Sequence, residues 1–225
     1  MRKSQKLLLG VNVIFILFVF IINYFYQTAG GFIFKLVASG GFMLLGLINS
    51  AFALKTNAEN KKFYIGLFAG LLFCFLGDAF IDFNFIGGAV IFAVGHIFFT
   101  LTFCLIQKLK PLDFIISCVF LCIATVFLLS PVLNFNPLSL RTVCLFYAFI
   151  ISIMAGKACG NFFRKRNLFN GTVFIATILF FFSDTMLVLS GFSEMKVWSI
   201  HACLSTYYPA LCLLAFSAFI KLCKE

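Results

Sequence analysis

Two aspartates, Asp78 and Asp184, lie inside segments that are otherwise apolar enough to cross a membrane. An ionisable side chain in the hydrocarbon layer is costly and usually has a functional reason. Two carboxyl groups brought together in a site of low dielectric constant do not both ionise easily, so we expect one of them to keep its proton near neutral pH. The pair therefore predicts acid–base chemistry carried out on a lipid.

The two aspartates are predicted to lie at similar depth. At ~1.5 Å per residue, Asp78 lies roughly 24 Å along its span and Asp184 roughly 21 Å along its own, both running outward from the predicted cytoplasmic side. Other polar residues also fall in the outer half of their spans, namely Lys35, Tyr147, His201, Tyr207 and Tyr208, with His96 near the middle. This layer predicts a polar cavity that opens toward the outer leaflet or the non-cytoplasmic side.

Each polar residue also has a structural explanation. The aspartates could form a buried ion pair with Lys35, and Asp82 is expected at the membrane interface in a loop. His96 could hydrogen-bond between helices. In the last span, His201 could have a structural role, and Tyr207 and Tyr208 could belong to the aromatic belt at the membrane surface.

The rest of the chain predicts the helices that hold these side chains. The sequence is 63% hydrophobic and 11% charged, and its continuous apolar runs reach the length of about 20 residues that a transmembrane helix needs. A β-barrel would require alternating polarity instead. We predict an all-α, polytopic membrane helix bundle and a single domain over residues 1–225. Its eight transmembrane helices are expected at about 7–26, 31–53, 63–81, 87–107, 112–130, 140–158, 170–190 and 199–221.

Small residues indicate a close helix contact in the third span. Gly66, Gly70, Cys74 and Asp78 recur every four residues and so share one helix face. A Gly-x-x-x-Gly pattern suits tight packing of helices in membranes. We therefore expect Asp78 to face a neighbouring helix rather than lipid.

The basic residues alternate between connections. One side of the predicted bundle carries most of them: Arg2, Lys3, Lys6, Lys55, Lys61, Lys62, Lys108, Lys110, the 157–166 cluster, Lys221 and Lys224. The other side carries only Arg141 and Lys196. This asymmetry predicts that both termini are cytoplasmic and explains the net charge of +10 without nucleic acid. We expect a retained first span, because its apolar stretch is too long for a signal peptide and no cleavage motif follows. In a bacterium the location would be the cytoplasmic (inner) membrane.

The cysteines and histidines limit the alternatives. The nine cysteines contain no C-x-x-C pattern and are expected to be small apolar packing residues, with no disulfide framework. Two histidines exclude a three-His zinc site, although His96, His201 and the aspartates could still bind a metal. A non-enzymatic transporter or lipid-binding protein that uses Asp78 and Asp184 as proton or cation sites is the other alternative. The sequence shows neither paired broken helices nor an inverted repeat that would support it.

Short motifs on successive spans resemble a known family. They are Lys35 in span two, Leu76-Gly77-Asp78, Gly95-His96, Tyr147 with Ile151, Met154 and Ala158, Phe182-Ser183-Asp184-Thr185-Met186-Leu187, and Tyr207-Tyr208-Pro209-Ala210. Their order and spacing over about residues 35–217 are similar to those of the YhhN-type lysoplasmalogenases, which are eight-helix membrane proteins. The chain departs from that pattern at three positions, Leu36, Phe99 and Leu211, where the family commonly has Pro, Tyr and Gln.

The resemblance implies hydrolysis of the vinyl ether of a lysoplasmalogen, giving a fatty aldehyde and a glycerophospho-alcohol. Such a bond breaks by protonation at carbon, and water then captures the oxocarbenium ion. Asp78 and Asp184 would divide the acid and stabilising roles as glycosidase carboxylates do, and we favour Asp184 as the acid because Phe180 to Phe182 suggest drier surroundings. His96 would position water or the glycerol hydroxyl. The residues expected to bind the lysophospholipid are Lys35, Tyr147, Ser183, Tyr207 and Tyr208, and no metal or other cofactor is required.

Overall fold

The computed structural model describes residues 3–56 and 59–223. These ranges form eight α-helices and no strand: α1 (Lys3–Ala29), α2 (Phe32–Lys55), α3 (Lys61–Ile81), α4 (Phe85–Ile106), α5 (Pro111–Leu128), α6 (Ser139–Arg164), α7 (Leu168–Phe192) and α8 (Lys196–Leu222). Each helix is long and apolar enough to cross a membrane. The prediction of an all-α, eight-helix membrane bundle is confirmed, and the protein is a multi-pass membrane protein. The cytoplasmic location of the termini stays a prediction, and Arg2 and Lys224 lie outside the described residues.

The largest error in the predicted spans is the end of α6. The sequence suggested an end near residue 158, but the helix continues to Arg164. Lys157 is 1% exposed, and its Nζ donates to Asp113 Oδ2 on α5 at 3.0 Å. Arg164 pairs with the same carboxylate. These ion pairs compensate the buried charges, so α6 continues to Arg164 although its last segment is polar.

The helices pack as a ring. Neighbouring contacts run α1–α2–α3–α4–α6–α7–α8 and back to α1, with α5 packed outside against α6. The last helix, α8, also contacts α2 and α3 across the ring and is the most deeply buried of the eight described helices. This arrangement brings α2, α3 and α8 together on one side, and α4, α6 and α7 on the other.

Glycines set the close approach of α3 to α4. A Cβ atom at Gly77 would lie 2.6 Å from a ring carbon of Phe92, and one at Gly70 would overlap the ring of Phe99. A Cβ at Gly66 would overlap the Thr102 hydroxyl. The predicted small-residue contact is therefore confirmed, and it is made with α4.

Candidate functional site

Asp78 is held by hydroxyl groups from two other helices. Ser39 Oγ on α2 donates to Asp78 Oδ2 at 2.6 Å, and Tyr207 OH on α8 donates to the same oxygen at 2.8 Å. Asp78 is only 4% exposed. The prediction that it faces neighbouring helices is confirmed, because the ring packing brings α2 and α8 against this part of α3.

The two neighbouring tyrosines of α8 take different places. Tyr207 contacts the aspartate directly, whereas Tyr208 OH lies 3.4 Å from both Ser39 Oγ and the backbone oxygen of Lys35. Both side chains are buried in the bundle. The alternative that they belong to a lipid-facing aromatic belt is therefore wrong.

Asp184 ends a chain of three side chains from three helices. Tyr147 OH on α6 donates to Asp184 Oδ2 at 2.6 Å, and His96 Nε2 on α4 lies 2.6 Å from the same hydroxyl. Direct separation of His96 Nε2 from Asp184 Oδ2 is 3.5 Å. Because the tyrosine has one hydrogen and gives it to the carboxylate, His96 Nε2 carries the hydrogen that it shares with Tyr147, an assignment made from the network. The order His96, Tyr147, Asp184 can pass a proton to the carboxylate only when the imidazole carries hydrogens on both nitrogens, and His96 Nδ1 is buried without a hydrogen-bond partner among the described residues.

One cavity of about 200 Å³ joins the two aspartates. Its polar lining consists of Asp78, Asp184, Lys35, Asp82 and Tyr207, together with Tyr26 and Ser190, and we call it the polar cavity. It lies where α2 begins and where α3 ends, the part of the bundle that the charge pattern predicts to be non-cytoplasmic. Both carboxyl groups can therefore reach one bound molecule.

Aromatic rings connect the two aspartate clusters behind the polar cavity. The ring centroid of Tyr207 lies 5.5 Å from that of Phe180, which lies 4.7 Å from that of His96. Both contacts are edge-to-face, a favoured geometry for aromatic pairs. The hydroxyl of Tyr207 and the imidazole of His96 are thus fixed relative to each other by a side chain that is fully buried.

Lys35 pairs with Asp82 and not with the two predicted catalytic aspartates. Its Nζ donates to Asp82 Oδ1 at 2.8 Å, and the Asp82 side chain is 48% exposed. The alternative of a buried pair between Lys35 and Asp78 or Asp184 is therefore wrong. Asp82 follows α3 directly, as expected for an interfacial residue, and its carboxylate shares the opening of the polar cavity with the ammonium group.

Ser183 does not reach the polar cavity. It is fully buried, and its hydroxyl donates to the backbone oxygen of Phe180 at 2.9 Å, one turn back along α7. Its Oγ lies 3.5 Å from Asp184 Oδ1, too far for a strong hydrogen bond. The expectation that Ser183 binds substrate is corrected: a serine within a helix satisfies its hydroxyl with its own backbone when no other partner is close.

Ser39 is the polar residue that the sequence analysis missed. It lies four residues after Lys35, which places the two side chains on one face of α2. That spacing could have identified it, since a helix face that carries a buried lysine in a membrane already indicates the interior of the bundle.

The expectation that Asp184 lies in the drier surroundings, which favoured it as the acid, is wrong. Phe182 is 42% exposed on the outer surface, and the Asp184 side chain is 13% exposed. Asp78, at 4%, is the drier carboxyl group. Any difference in role between the two must come from their hydrogen-bond partners.

The possible metal ligands are not grouped. Within residues 3–56 and 59–223, no three His, Cys, Asp or Glu side chains lie where they could hold one ion together. His201 is exposed, and its Nδ1 lies 3.1 Å from Gln27 Oε1 on α1. It is therefore a surface hydrogen-bond partner and does not extend the His96 and Asp184 chain.

Two of the three departures from the family pattern, Phe99 and Leu211, are fully buried among apolar side chains. All three positions, including Leu36, lie outside the lining of the polar cavity.

Comparison with known proteins identifies the family. A family model described as the YhhN family matches residues 32–218, which include all eight candidate site residues. No curated protein and no solved structure matches the chain. Because the match covers most of the chain, the protein belongs to the YhhN family, the family of the lysoplasmalogenases.

Proposed function

We propose that this membrane protein hydrolyses the vinyl ether bond of lysoplasmalogens and releases a fatty aldehyde and a glycerophospho-alcohol. The observation that carries the proposal is the presence of Asp78 and Asp184 on one cavity of about 200 Å³, together with the ammonium group of Lys35. A lysolipid presents an anionic headgroup, an acid-sensitive ether and an apolar chain. The polar cavity offers a cation for the headgroup and two carboxyl groups for the ether.

Asp184 is the proposed acid. It transfers its proton to the second carbon of the alkenyl chain, and the electrons of the double bond and the ether oxygen produce an oxocarbenium ion. The acid must regain a proton in every turnover, and the contacts of 2.6 Å through Tyr147 to His96 supply a path. Proton transfer by a positioned group of this kind contributes typically about 10²–10⁴-fold to a rate.

Asp78 is the proposed carboxylate partner. Two hydroxyl groups donate to its Oδ2, from Ser39 at 2.6 Å and Tyr207 at 2.8 Å, and such donors favour the ionised form. An anion here stabilises the oxocarbenium ion and orients the water that attacks the first carbon, and this water releases one proton to the solvent at the opening of the polar cavity. The resulting hemiacetal collapses to the aldehyde and returns a hydrogen to the glycerol oxygen. Glycosidases divide two carboxyl groups in the same way around a similar cation.

Lys35 is the proposed contact for the phosphate. Its ammonium group is buried but paired with a half-exposed carboxylate, 2.8 Å away on Asp82. A phosphate group at the opening of the polar cavity can replace the Asp82 carboxylate as the partner of Lys35, because the half-exposed Asp82 side chain can turn toward solvent. Ser39, on the same helix as Lys35, and Tyr207 both donate to Asp78 Oδ2, and these bonds keep α2 and α8 in register with the aspartate.

The test is aldehyde release from a lysoplasmalogen by the purified protein in detergent, with the ester-linked lysophospholipid as control. Release from the vinyl ether alone, with deuterium from D₂O at the second carbon of the aldehyde, is the expected result. Asp78→Asn and Asp184→Asn, checked for unchanged thermal unfolding, should each abolish it. Full activity in either folded variant would refute the two-carboxyl mechanism, and chelator-sensitive release would favour a metal-dependent hydrolase.

A proton-coupled transporter is the second candidate, and the His96–Tyr147–Asp184 chain is the observation that favours it. Proton-relay side chains inside membranes often mark transport paths. Solute uptake into proteoliposomes that acidifies the lumen, without any lipid product, would support this function and exclude the hydrolase.

A further inference from the structure

An apolar groove follows the outer surface of the bundle between α4 and α6. Its volume is about 360 Å³, and its lining is apolar except for the side chain of Tyr147 on its inner wall. Val90, Ile97 and Phe146 on its edges are 55%, 44% and 70% exposed. Since α4 and α6 are membrane-spanning helices, this groove faces lipid, and we call it the chain groove.

A narrow gap of about 30 Å³ continues the chain groove into the bundle, and we call it the neck. The neck shares Ala89, Val143 and Tyr147 with the chain groove. At its other end it shares Asp184 and Phe92 with the polar cavity. The three spaces therefore adjoin one another in one order, from Lys35, past Asp184, to the lipid-facing surface.

We propose that the chain groove binds the hydrocarbon chain of the lysolipid, which enters sideways from the bilayer. This inference rests on the proposed function. The polarity of the path has the same order as that of the lipid: phosphate at Lys35, vinyl ether in the neck against Tyr147 and Asp184, and chain between α4 and α6. Asp184 lies at the boundary between polar and apolar lining, where the scissile bond of such a lipid would lie.

The chain groove would orient the substrate rather than increase its binding affinity. A chain that moves from bilayer hydrocarbon into an apolar groove gains little from the hydrophobic effect, because lipid tails are as apolar as the groove. Fixing the chain does limit how the vinyl ether can lie beside the acid, and such positioning lowers the barrier to reaction. The chain groove should therefore determine which alkenyl chains react quickly.

A second gap also reaches Tyr147 and Asp184, between α5, α6 and α7. It is as narrow as the neck, at about 30 Å³, but it has only Asp184 in common with the lining of the polar cavity. The neck has Ile81, Phe85, Phe92, Asp184 and Leu187 in common with that cavity, and it also shares three lining residues with the chain groove, against one for the second gap. The path between α4 and α6 is therefore the one assigned to the substrate.

Two substitutions of equal exposure test the proposal. Val90 lines the chain groove and is 55% exposed, whereas Val119 on α5 is 54% exposed and lies outside it. Val90→Trp fills the groove without disturbing the buried core, and Val119→Trp is the control. For the hexadecenyl lysoplasmalogen, we expect Val90→Trp to lower kcat/KM about tenfold or more, because misplacing a reacting group is costly. For a butenyl analogue, which leaves the groove empty, and for the control variant, no change is expected.

The chain-length comparison has two outcomes that overturn the proposal. An equal loss for long and short chains would mean that Val90→Trp acts on the site in general. No loss with either chain would mean that the groove is not occupied during the reaction.

A photo-crosslinking measurement separates this proposal from the proposed reaction. The probe is an alkyl-ether lysophospholipid with a diazirine at the end of its chain, which cannot be hydrolysed. Adducts on residues of the chain groove, such as Phe146, that disappear with unlabelled lysolipid support the inference even if no vinyl ether is cleaved. Adducts spread equally over the lipid-facing side of α5 overturn it, even if hydrolysis is observed.

Discussion

Tyr147→Phe removes the hydroxyl group that joins His96 to Asp184. In the intact chain the two contacts of this hydroxyl are each 2.6 Å long, while His96 Nε2 and Asp184 Oδ2 are 3.5 Å apart. A separation of 3.5 Å exceeds the range of about 2.7–3.2 Å for a good N–H···O bond. The variant therefore keeps the acid but interrupts the path by which it regains a proton.

The expected effect follows from this geometry. Since Asp184 is still present, the loss should fall at the lower end of general acid–base contributions, about tenfold to a hundredfold in kcat. The buried imidazole N–H loses its close acceptor, which should cost about 1–3 kcal/mol of unfolding free energy. KM should change little, because phenylalanine keeps the ring that lines the neck and the chain groove.

Tyr208→Phe is the matched control. It also removes one buried tyrosine hydroxyl, but that group lies 3.4 Å from its partners, Ser39 Oγ and the Lys35 backbone oxygen, and touches neither aspartate. The assay is aldehyde release at saturating lysoplasmalogen, combined with thermal unfolding in the same detergent. A small acid added to the buffer should restore part of the activity of Tyr147→Phe, because it can supply the missing proton.

Two results would refute this reasoning. One is an unchanged kcat for Tyr147→Phe. The other is an equal loss in both variants without rescue by buffer acid, which would reduce Tyr147 to a packing residue.

Three further substitutions separate substrate binding, catalysis and stability. Lys35→Ala should raise KM for the phosphorylated lysolipid more than for the alkenylglycerol without phosphate; an equal rise for both would contradict the phosphate contact. Ser39→Ala should lower kcat, because it removes one of two donors to the α3 aspartate, whereas Ser183→Ala, whose hydroxyl bonds its own helix, should not; the reverse order would contradict the site geometry. Asp113→Asn removes the negative charge that compensates the buried Lys157, whose Nζ keeps only the neutral Lys108 backbone oxygen among its present acceptors, and should cost about 3–5 kcal/mol of unfolding free energy while the folded protein stays active; unchanged thermal unfolding would contradict that account.

The helices and the common level of the two aspartates in the bundle could be predicted because both depend on local properties of the chain. Apolar runs of sufficient length determine where α1 to α8 lie, and the constant rise per residue places Asp78 and Asp184 at similar distances along α3 and α7, where both line one cavity. The prediction that Asp78 faces a neighbouring helix also follows from its four-residue spacing with the glycines of α3. These inferences need no knowledge of which helix packs beside which.

The hydrogen-bond partner of each polar group could not be predicted, because it depends on which helices pack beside each other. Lys35 bonds to Asp82 rather than to Asp78, and Ser183 turns to its own helix, because hydrogen bonds depend on the positions of neighbouring helices within a few tenths of an ångström. The end of α6 depends likewise on a carboxylate contributed by α5. The burial of Phe180 and the exposure of Phe182 could have been separated from the sequence, because Phe180 lies four residues before Asp184 on the same helix face, whereas residues two apart do not share a face.

The difference between the two carboxyl groups comes from their partners rather than from burial. Asp78 receives hydroxyl hydrogens from Ser39 and Tyr207, which stabilise an anion but have no base behind them among the described contacts. Asp184 receives one from a hydroxyl that is itself bonded to an imidazole. A group that gives up a proton in each turnover needs such a path, and a group that stays ionised needs only donors. The hydrogen-bond networks therefore favour the proposed role of Asp184 as the acid, although Asp78 is the drier site, and a variant that breaks the path should affect one aspartate and spare the other.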